Sequence, residues 1–392
     1  MTLLLFLLLC PPTSLTLFCG IELFAGLRPL RSEIAPPSTS PTAAIVVPAH
    51  DEEAIIGRTL TGLREAARDL ARILVVADNC SDSTAEIVRQ LGIEVAERVD
   101  PERRGKGFAL DFARRQLEPS APDLVIVIDA DCTIDRAGLA ALIDNCFARQ
   151  LPCQSIYLLS PDPKASPLVQ ISSFAFLIKN LVRQRALQRL GGRVNLTGTG
   201  MAFPWPALAC ADLATSSIVE DLRLGIELAE CGYPPQLVSE ARVWSDAAPE
   251  DATLVQRRRW EGGFLDTAWN TAPRLILRAL GRGDVGALVM GFDLMVPPLT
   301  LLILADAIAL GGGLVLVSLT DAGWAAFVIF CGASAIAAAG LVAAWWAEGQ
   351  TMISARRLAL LPIYLLRKIP LYFGLAVRGQ PGEWVRTERP RD

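Results

Sequence analysis

Three long apolar runs, one near the amino end and two toward the carboxyl end, bracket a stretch with the texture of a soluble domain. Leu3 to Leu27 is almost continuous, interrupted by Pro11-Pro12 and Glu22. At 1.5 Å per helical residue such a run crosses a hydrocarbon core of about 30 Å. Met290–Leu319 and Trp324–Ala347 are each long enough to do the same, with Thr320-Asp321-Ala322-Gly323 as a tight turn between them. The chain must therefore satisfy two solvents at once, with backbone groups in the runs paired internally as helices. The apolar share is 52% before counting 30 Gly, above the usual soluble range of about 45–50% with Gly included.

The flanking charges set an expected orientation. No Lys or Arg precedes the first run and no A-x-A-like cleavage site is clear, so it reads as an anchor and not a cleaved leader. Arg28 and Arg31 follow the first run and Arg356-Arg357 the third, which puts those ends on the cytoplasmic side. Leu358–Val377 carries Arg367-Lys368 at its centre and reads as an interfacial or re-entrant helix. The expected organisation is a membrane helix over 1–27, a linker over 28–41, a cytoplasmic domain over 42–270, an interfacial amphipathic helix over 271–288, two membrane helices over 289–347, and an interfacial or re-entrant helix with a basic tail over 348–392. That tail holds Arg378, Arg386, Arg389 and Arg391. Pro167–Leu190 and Asn270–Leu288 both mix apolar residues with Arg; each reads as a membrane-surface helix or as an ordinary half-buried one. A multi-pass protein of the inner (plasma) membrane is expected.

Composition excludes several chemistries. One histidine, His50, rules out a His-rich zinc site and any Ser-His-Asp relay that does not use it. Nine Cys include no C-x-x-C pair and read as small hydrophobes in a reducing compartment. A net charge of −4 gives no reason to expect nucleic acid as a partner.

From Thr42 to about Asn270, short Val/Ile runs alternate with helical patterns. Strands are expected at Ala43–Val47, Ile73–Ala77, Ile93–Glu97, Leu124–Ile128, Gln154–Leu159, Gly200–Phe203 and Gln236–Val243, with helices such as Ala54–Leu70 and Asp135–Gln150 between them. The alternation predicts an α/β domain with a mostly parallel sheet, whose ligands bind at the carboxyl ends of the strands.

Acids gather at those ends. Asp129-Ala130-Asp131 follows the strand Leu124–Ile128, and two carboxylates at i and i+2 can hold a hard divalent cation with a diphosphate; equally, Asp131 or Asp135 could cap the next helix. Asp51 and Glu53 follow the first strand and Asp78 the second, where a nucleotide needs acceptors; Asp82 and Ser83 are also good helix caps. Arg103-Arg104-Gly105-Lys106-Gly107 offers a cation and backbone freedom near phosphate, without Walker A spacing. Glu220-Asp221 opens a helix and offers either a general base or a cap. In Gln256-Arg257-Arg258-Arg259-Trp260, Arg259 can fork onto a pyrophosphate and Trp260 can stack on a sugar face, while Arg257 and Arg258 fit lipid headgroups.

As an ordered set these pieces are specific. PAHDEE (48–53), VADNCSD (76–82), RRGKGFAL (103–110), DAD (129–131), TGTGMAF (197–203), VED (219–221) and QRRRW (256–260) resemble the membrane-bound family-2 glycosyltransferases of GT-A fold, the group of cellulose, hyaluronan and poly-N-acetylglucosamine synthases and ceramide glucosyltransferase. The resemblance implies a GT-A α/β domain flanked in sequence by transmembrane helices. It implies that Asp51, Glu53 and Asp78 contact the nucleotide with Lys106 nearby, that Asp129 and Asp131 bind the donor diphosphate and Mg²⁺ or Mn²⁺, that Asp221 is the catalytic base beside Glu220 in the substrate site, and that Gln256, Arg259 and Trp260 hold the diphosphate and border the acceptor. Val219 departs from the Thr that polymer synthases carry in T-E-D, which loosens the tie to that branch. The expected donor is a nucleotide-diphospho-sugar, a UDP-sugar first, and the expected reaction is inverting. The expected acceptor is a polysaccharide; the alternatives are a membrane lipid receiving one sugar, or a non-catalytic sugar-nucleotide-binding subunit. Two carboxyl-terminal spans are few for a polymer channel, so a channel would call for self-association or a partner subunit.

Overall fold

The computed structural model describes residues 2–31, 34, 37, 39–215, 219–320 and 323–378. Parts of the linker, the turn residues Asp321 and Ala322, and the tail with Arg386, Arg389 and Arg391 lie outside them, as does the side chain of Arg378. The described residues divide into two compact units, one within 29–160 and 193–252, the other within 1–28, 161–192 and 253–380.

The first unit is built on a mixed eight-stranded sheet: β1 (Ala43–Ala49), β2 (Arg72–Asp78), β3 (Glu94–Arg98), β4 (Leu124–Val127), β5 (Cys132–Ile134), β6 (Cys153–Leu159), β7 (Met201–Pro204) and β8 (Gln236–Ser245). Its order is β3-β2-β1-β4-β7-β6-β8-β5. The half β3-β2-β1-β4 is parallel, β7 is antiparallel to both neighbours, β6 and β8 pair in parallel, and β5 closes the edge antiparallel to β8. β1 and β4 are apolar runs without alternation, and β6 is buried along its whole length, because both faces of the sheet are covered by helices. On one face Val46, Leu74, Val76, Val125, Val127 and Phe203 pack against Leu110, Ala113, Leu117, Leu224 and Leu228, all buried.

The helix Arg136–Arg149 is capped by Asp135, whose side chain accepts from Gly138 N at 2.7 Å. The cap is therefore Asp135, while Asp131 Oδ1 accepts from Cys132 Sγ at 3.4 Å. Asp82 is structural: its Oδ1 accepts from Thr84 N at 3.0 Å at the start of Thr84–Gln90.

In the second unit, three helices among the described residues are long and apolar enough to cross a membrane: Leu5–Gly26, Leu299–Leu319 and Ala325–Gly349. The first runs unbroken through Pro11-Pro12. Gly20 and Gly340 let it lie close to Ala325–Ala344: a Cβ on Gly20 would sit 3.2 Å from Ala337 N, and one on Gly340 2.8 Å from Leu23 Cβ. Glu22, read from sequence as an interruption, is fully buried and bonded to Arg183 Nε at 2.9 Å; Arg183 Nη2 reaches Asp293 Oδ1 at 2.5 Å. Thr16 Oγ1 donates to Asp306 at 2.8 Å. Charges in apolar segments are tolerated here because they face protein partners.

Two sequence expectations change. Met290–Leu319 is two helices: Val285–Met295 ends before Pro297-Pro298, which cannot continue it, and Leu299–Leu319 starts afresh. Pro167–Leu190 is no surface helix, since Arg183 and Arg185 are buried and Arg185 pairs with Glu348 at 2.6 Å.

Candidate functional site

β2, β1 and β4 are parallel neighbours, so the loops leaving their carboxyl ends share one edge of the sheet. The β1 and β2 loops are laced together. Asp51, in left-handed backbone at φ 51°, accepts from Ser81 N at 2.6 Å. Glu53 Oε2 accepts from Ser83 N at 3.1 Å, and His50 Nδ1 lies 2.7 Å from Asp78 O. Asp78 is 6% exposed, and its carboxylate accepts from Arg98 Nη1 at 2.6 Å and Asn79 Nδ2 at 3.0 Å. Arg98 also holds Asp100 at 3.1 Å. Sequence reasoning missed Arg98; the parallel register that pairs Asp78 with Arg98 identifies it once β3 is placed beside β2.

The second cluster forms at the end of β4. Lys106, first residue of the helix Lys106–Leu117, places its Nζ on Asp129 Oδ1 and donates to Gly198 O at 2.7 Å. Asp129 N donates to Thr199 Oγ1 at 3.0 Å. The 197–200 loop that supplies these partners is fixed by Gln154, whose Oε1 accepts from Thr197 N and whose Nε2 donates to Thr199 O, each at 2.9 Å. Gly198 adopts φ +87°; a Cβ there would stand 3.4 Å from Asp221 Oδ2 and 3.6 Å from Lys106 Nζ. Those distances bring Asp221, Lys106 and Asp129 around one point. Asp221 belongs to the first turn of the helix Glu220–Glu230, which has no side-chain cap; its Oδ1 accepts from Leu222 N at 2.8 Å, leaving Oδ2 toward Gly198.

Electrostatics bind the cluster. Burial alone would pull the Lys106 ammonium down, but Asp129, Glu220 and Asp221 more than reverse this and hold it protonated. Burial, then the Asp221 charge, pushes the Glu220 carboxyl up to about 8, against the opposing pull of Lys106. Asp129, Asp131 and Cys132 offer ligand atoms all within 4.8 Å of one another. Burial, reinforced by Asp131 and Asp129, raises the Cys132 thiol well above its usual range in the metal-free chain, and the two carboxylates are the hard donors of the group. Hard oxygen ligands of that kind fit Mg²⁺ or Mn²⁺.

A pH prediction follows. From its ordinary 4.5 to about 8, Glu220 keeps in the folded chain a proton that the unfolded chain releases. Stability therefore falls as pH rises across that window, by up to about 1.4 kcal/mol per unit. In Glu220→Gln the slope flattens; melting temperatures of the metal-free chain across the window check it, and an equal slope in both proteins refutes it.

Gln256, Arg259 and Trp260 stand in the other unit, on the helix Glu250–Arg282. Its neighbour Arg257 is no headgroup contact: it is 7% exposed and donates to Ser172 Oγ at 2.7 Å and Ser172 O at 2.8 Å.

Comparison with known proteins gives the family and the fold. The model of a glycosyltransferase like family 2 matches residues 41–263. The probable glycosyltransferase YdaM of Bacillus subtilis (strain 168) is 31% identical over 250 residues, 57% of this chain and 55% of its own. The uncharacterized protein MJ1222 of Methanocaldococcus jannaschii is 36% identical over 87 residues, 22% of this chain and 34% of its own. The chain thus spans about half the length, or less, of these curated relatives. Among solved structures, mannosyltransferase PcManGT from Pyrobaculum calidifontis, in complex with GDP-Man and Mn²⁺, aligns with TM-score 0.57 at 17% identity, over 88% of this chain and 97% of that one. The two share the GT-A fold.

Proposed function

The chain belongs to the glycosyltransferase like family 2, and from that premise we propose that it is a membrane-bound, inverting, metal-dependent enzyme that moves a sugar from a nucleotide-diphospho-sugar to a growing polysaccharide. The observation that carries this reading is the convergence of Asp221 Oδ2 and Lys106 Nζ on Gly198, with Lys106 holding Asp129. A base for the acceptor hydroxyl thus stands beside a cation and the carboxylates suited to a metal. The Mn²⁺ and GDP-mannose bound by the archaeal mannosyltransferase are in keeping with such a donor and cofactor.

Asp129 and Asp131 are the residues that would hold the metal, which when bound offsets negative charge on the diphosphate. Asp221 takes the proton of the acceptor hydroxyl as its oxygen attacks the anomeric carbon, and the bond from that carbon to the diphosphate oxygen breaks. A single displacement inverts the centre. Lys106 keeps Asp129 oriented and adds positive charge near the phosphates. Asp51, Glu53 and Asp78 shape the nucleotide end, and Glu220 tunes its neighbour Asp221. Gln256, Arg259 and Trp260 bind the diphosphate and border the acceptor.

The catalytic domain is placed in the cytoplasm, on the basic side of the spans of an inner-membrane protein. On Glu250–Arg282, Trp269, Leu277 and Leu280 are 78%, 70% and 63% exposed and lie beside Arg274, Arg278 and Arg282, in keeping with a helix resting in a lipid headgroup layer. One observation favours the lipid acceptor as a second reading: three helices among the described residues are apolar and long enough to span, which is few to enclose a polymer. Incubating the purified chain with labelled nucleotide-sugars and lipid extract decides between them. The polymer reading predicts a ladder of long products; a discrete glycolipid overturns it.

A further inference from the structure

The helix Leu361–Arg378 carries Arg367-Lys368 at its centre, the pair from which the sequence reads an interfacial or re-entrant segment. The structure gives Lys368 other surroundings. Its side chain is fully buried and its Nζ sits on Glu261 Oε1. One turn on, Tyr372 OH donates to Glu261 Oε2 at 2.8 Å and also meets Thr300 Oγ1. The Lys368 ammonium stacks against the rings of Tyr364 and Tyr372, at 5.5 and 5.6 Å from their centroids. Tyr364, Lys368 and Tyr372, spaced by four, line one face of their helix.

Glu261 follows Trp260 directly. A turn earlier, the Arg257 guanidinium lies beside a pair of neighbouring rings, 5.3 Å from Phe176 and 5.4 Å from Trp260, which are themselves 5.7 Å apart. Arg257, Glu261 and Phe264 share the packed face of Glu250–Arg282, and Gln256, Arg259 and Trp260 share the face beside it, at i, i+3 and i+4. Turning the helix about its axis would misaim all three.

Stability alone does not explain a buried Lys–Glu pair, because desolvation offsets most of the attraction and apolar residues of similar volume hold helices together as well. A charge pair does what an apolar contact cannot: it penalises every register but one. We propose that Lys368 and Tyr372, acting through Glu261, are positioning residues that fix the rotation of the turn bearing Arg259 and Trp260. What that turn then does in the reaction rests on the glycosyltransferase reading.

The test uses the full chain in lipid nanodiscs with fluorotryptophan incorporated. The Trp260 resonance is assigned by its loss in Trp260→Phe. The double variant Lys368→Met with Glu261→Met removes both charges while keeping bulk, so no charge is left buried alone. The expected result is a shifted or split Trp260 resonance with that of Trp205 unchanged, and a kcat at least about tenfold lower with a smaller change in donor KM. Tyr372→Phe removes only a hydroxyl and gives the same resonance change in smaller degree; it decides the question if the double variant does not fold. A folded variant with the Trp260 resonance unmoved and kcat within about twofold of the parent overturns the proposal. If the parent itself transfers sugar from no donor, the glycosyltransferase reading fails instead, and the resonance still decides the positioning role.

Discussion

Asp221→Asn lowers kcat for sugar transfer by about 10³-fold, within the range lost with a general base, while donor binding measured by titration calorimetry changes little. The substitution is nearly isosteric. The amide oxygen can still accept from Leu222 N, as Asp221 Oδ1 does at 2.8 Å, so the start of Glu220–Glu230 is kept. Lost is the proton acceptor at Oδ2, beside Gly198 and Lys106. Removing one negative charge also relieves Glu220, which Asp221 helps to push up. The signature is thus a kcat defect without a binding defect. Transfer that survives undiminished removes Asp221 as the base, and a non-catalytic nucleotide-binding role becomes the better reading.

Asp131→Asn costs about 10³-fold in kcat/KM, equivalent to about 4 kcal/mol of lost charge stabilisation, and the loss is partly made good by raising Mn²⁺. Asp131 is a cleaner site for this test than Asp129. Asp129 carries Lys106, and removing it strands an ammonium that burial already penalises. Asp131 caps no helix, since Asp135 does that work, so its replacement leaves folding stability within about 1 kcal/mol. Activity that depends on Mn²⁺ in the same way in both proteins contradicts the assignment of Asp131 as a ligand.

The central strands were legible because each carries a short run of Val, Ile, Leu or Ala, such as Ile45–Val47 in β1, Leu74–Ala77 in β2 and Leu124–Val127 in β4. β5, three residues, is too short to show a period; it exists because Cys132–Ile134 falls alongside the end of β8. The acids at the ends of β1, β2 and β4 were legible for a topological reason, since loops after parallel neighbours must meet. Their partners were not. Arg98 reaches Asp78 through the β2–β3 register, and Gly198 reaches Lys106 across 92 positions of sequence. Charges in apolar segments misled in both directions. Glu22 looked like a fault in a span and is the partner of Arg183, while Arg257 looked like a headgroup contact and is buried, bonded to Ser172 and packed beside two rings. Each depends on a distant residue, which a local pattern cannot display.

The most direct measurement is release of nucleoside diphosphate by the purified full chain, across a panel of UDP- and GDP-sugars with lipid extract as acceptor source, with and without Mn²⁺. The account predicts that at least one donor is turned over only with the metal, and that Asp131→Asn and Asp221→Asn each lower that release by about 10³-fold at the same Mn²⁺ concentration. Release that proceeds equally in chelator, or in both variants, contradicts the claim that these acids act together on one donor.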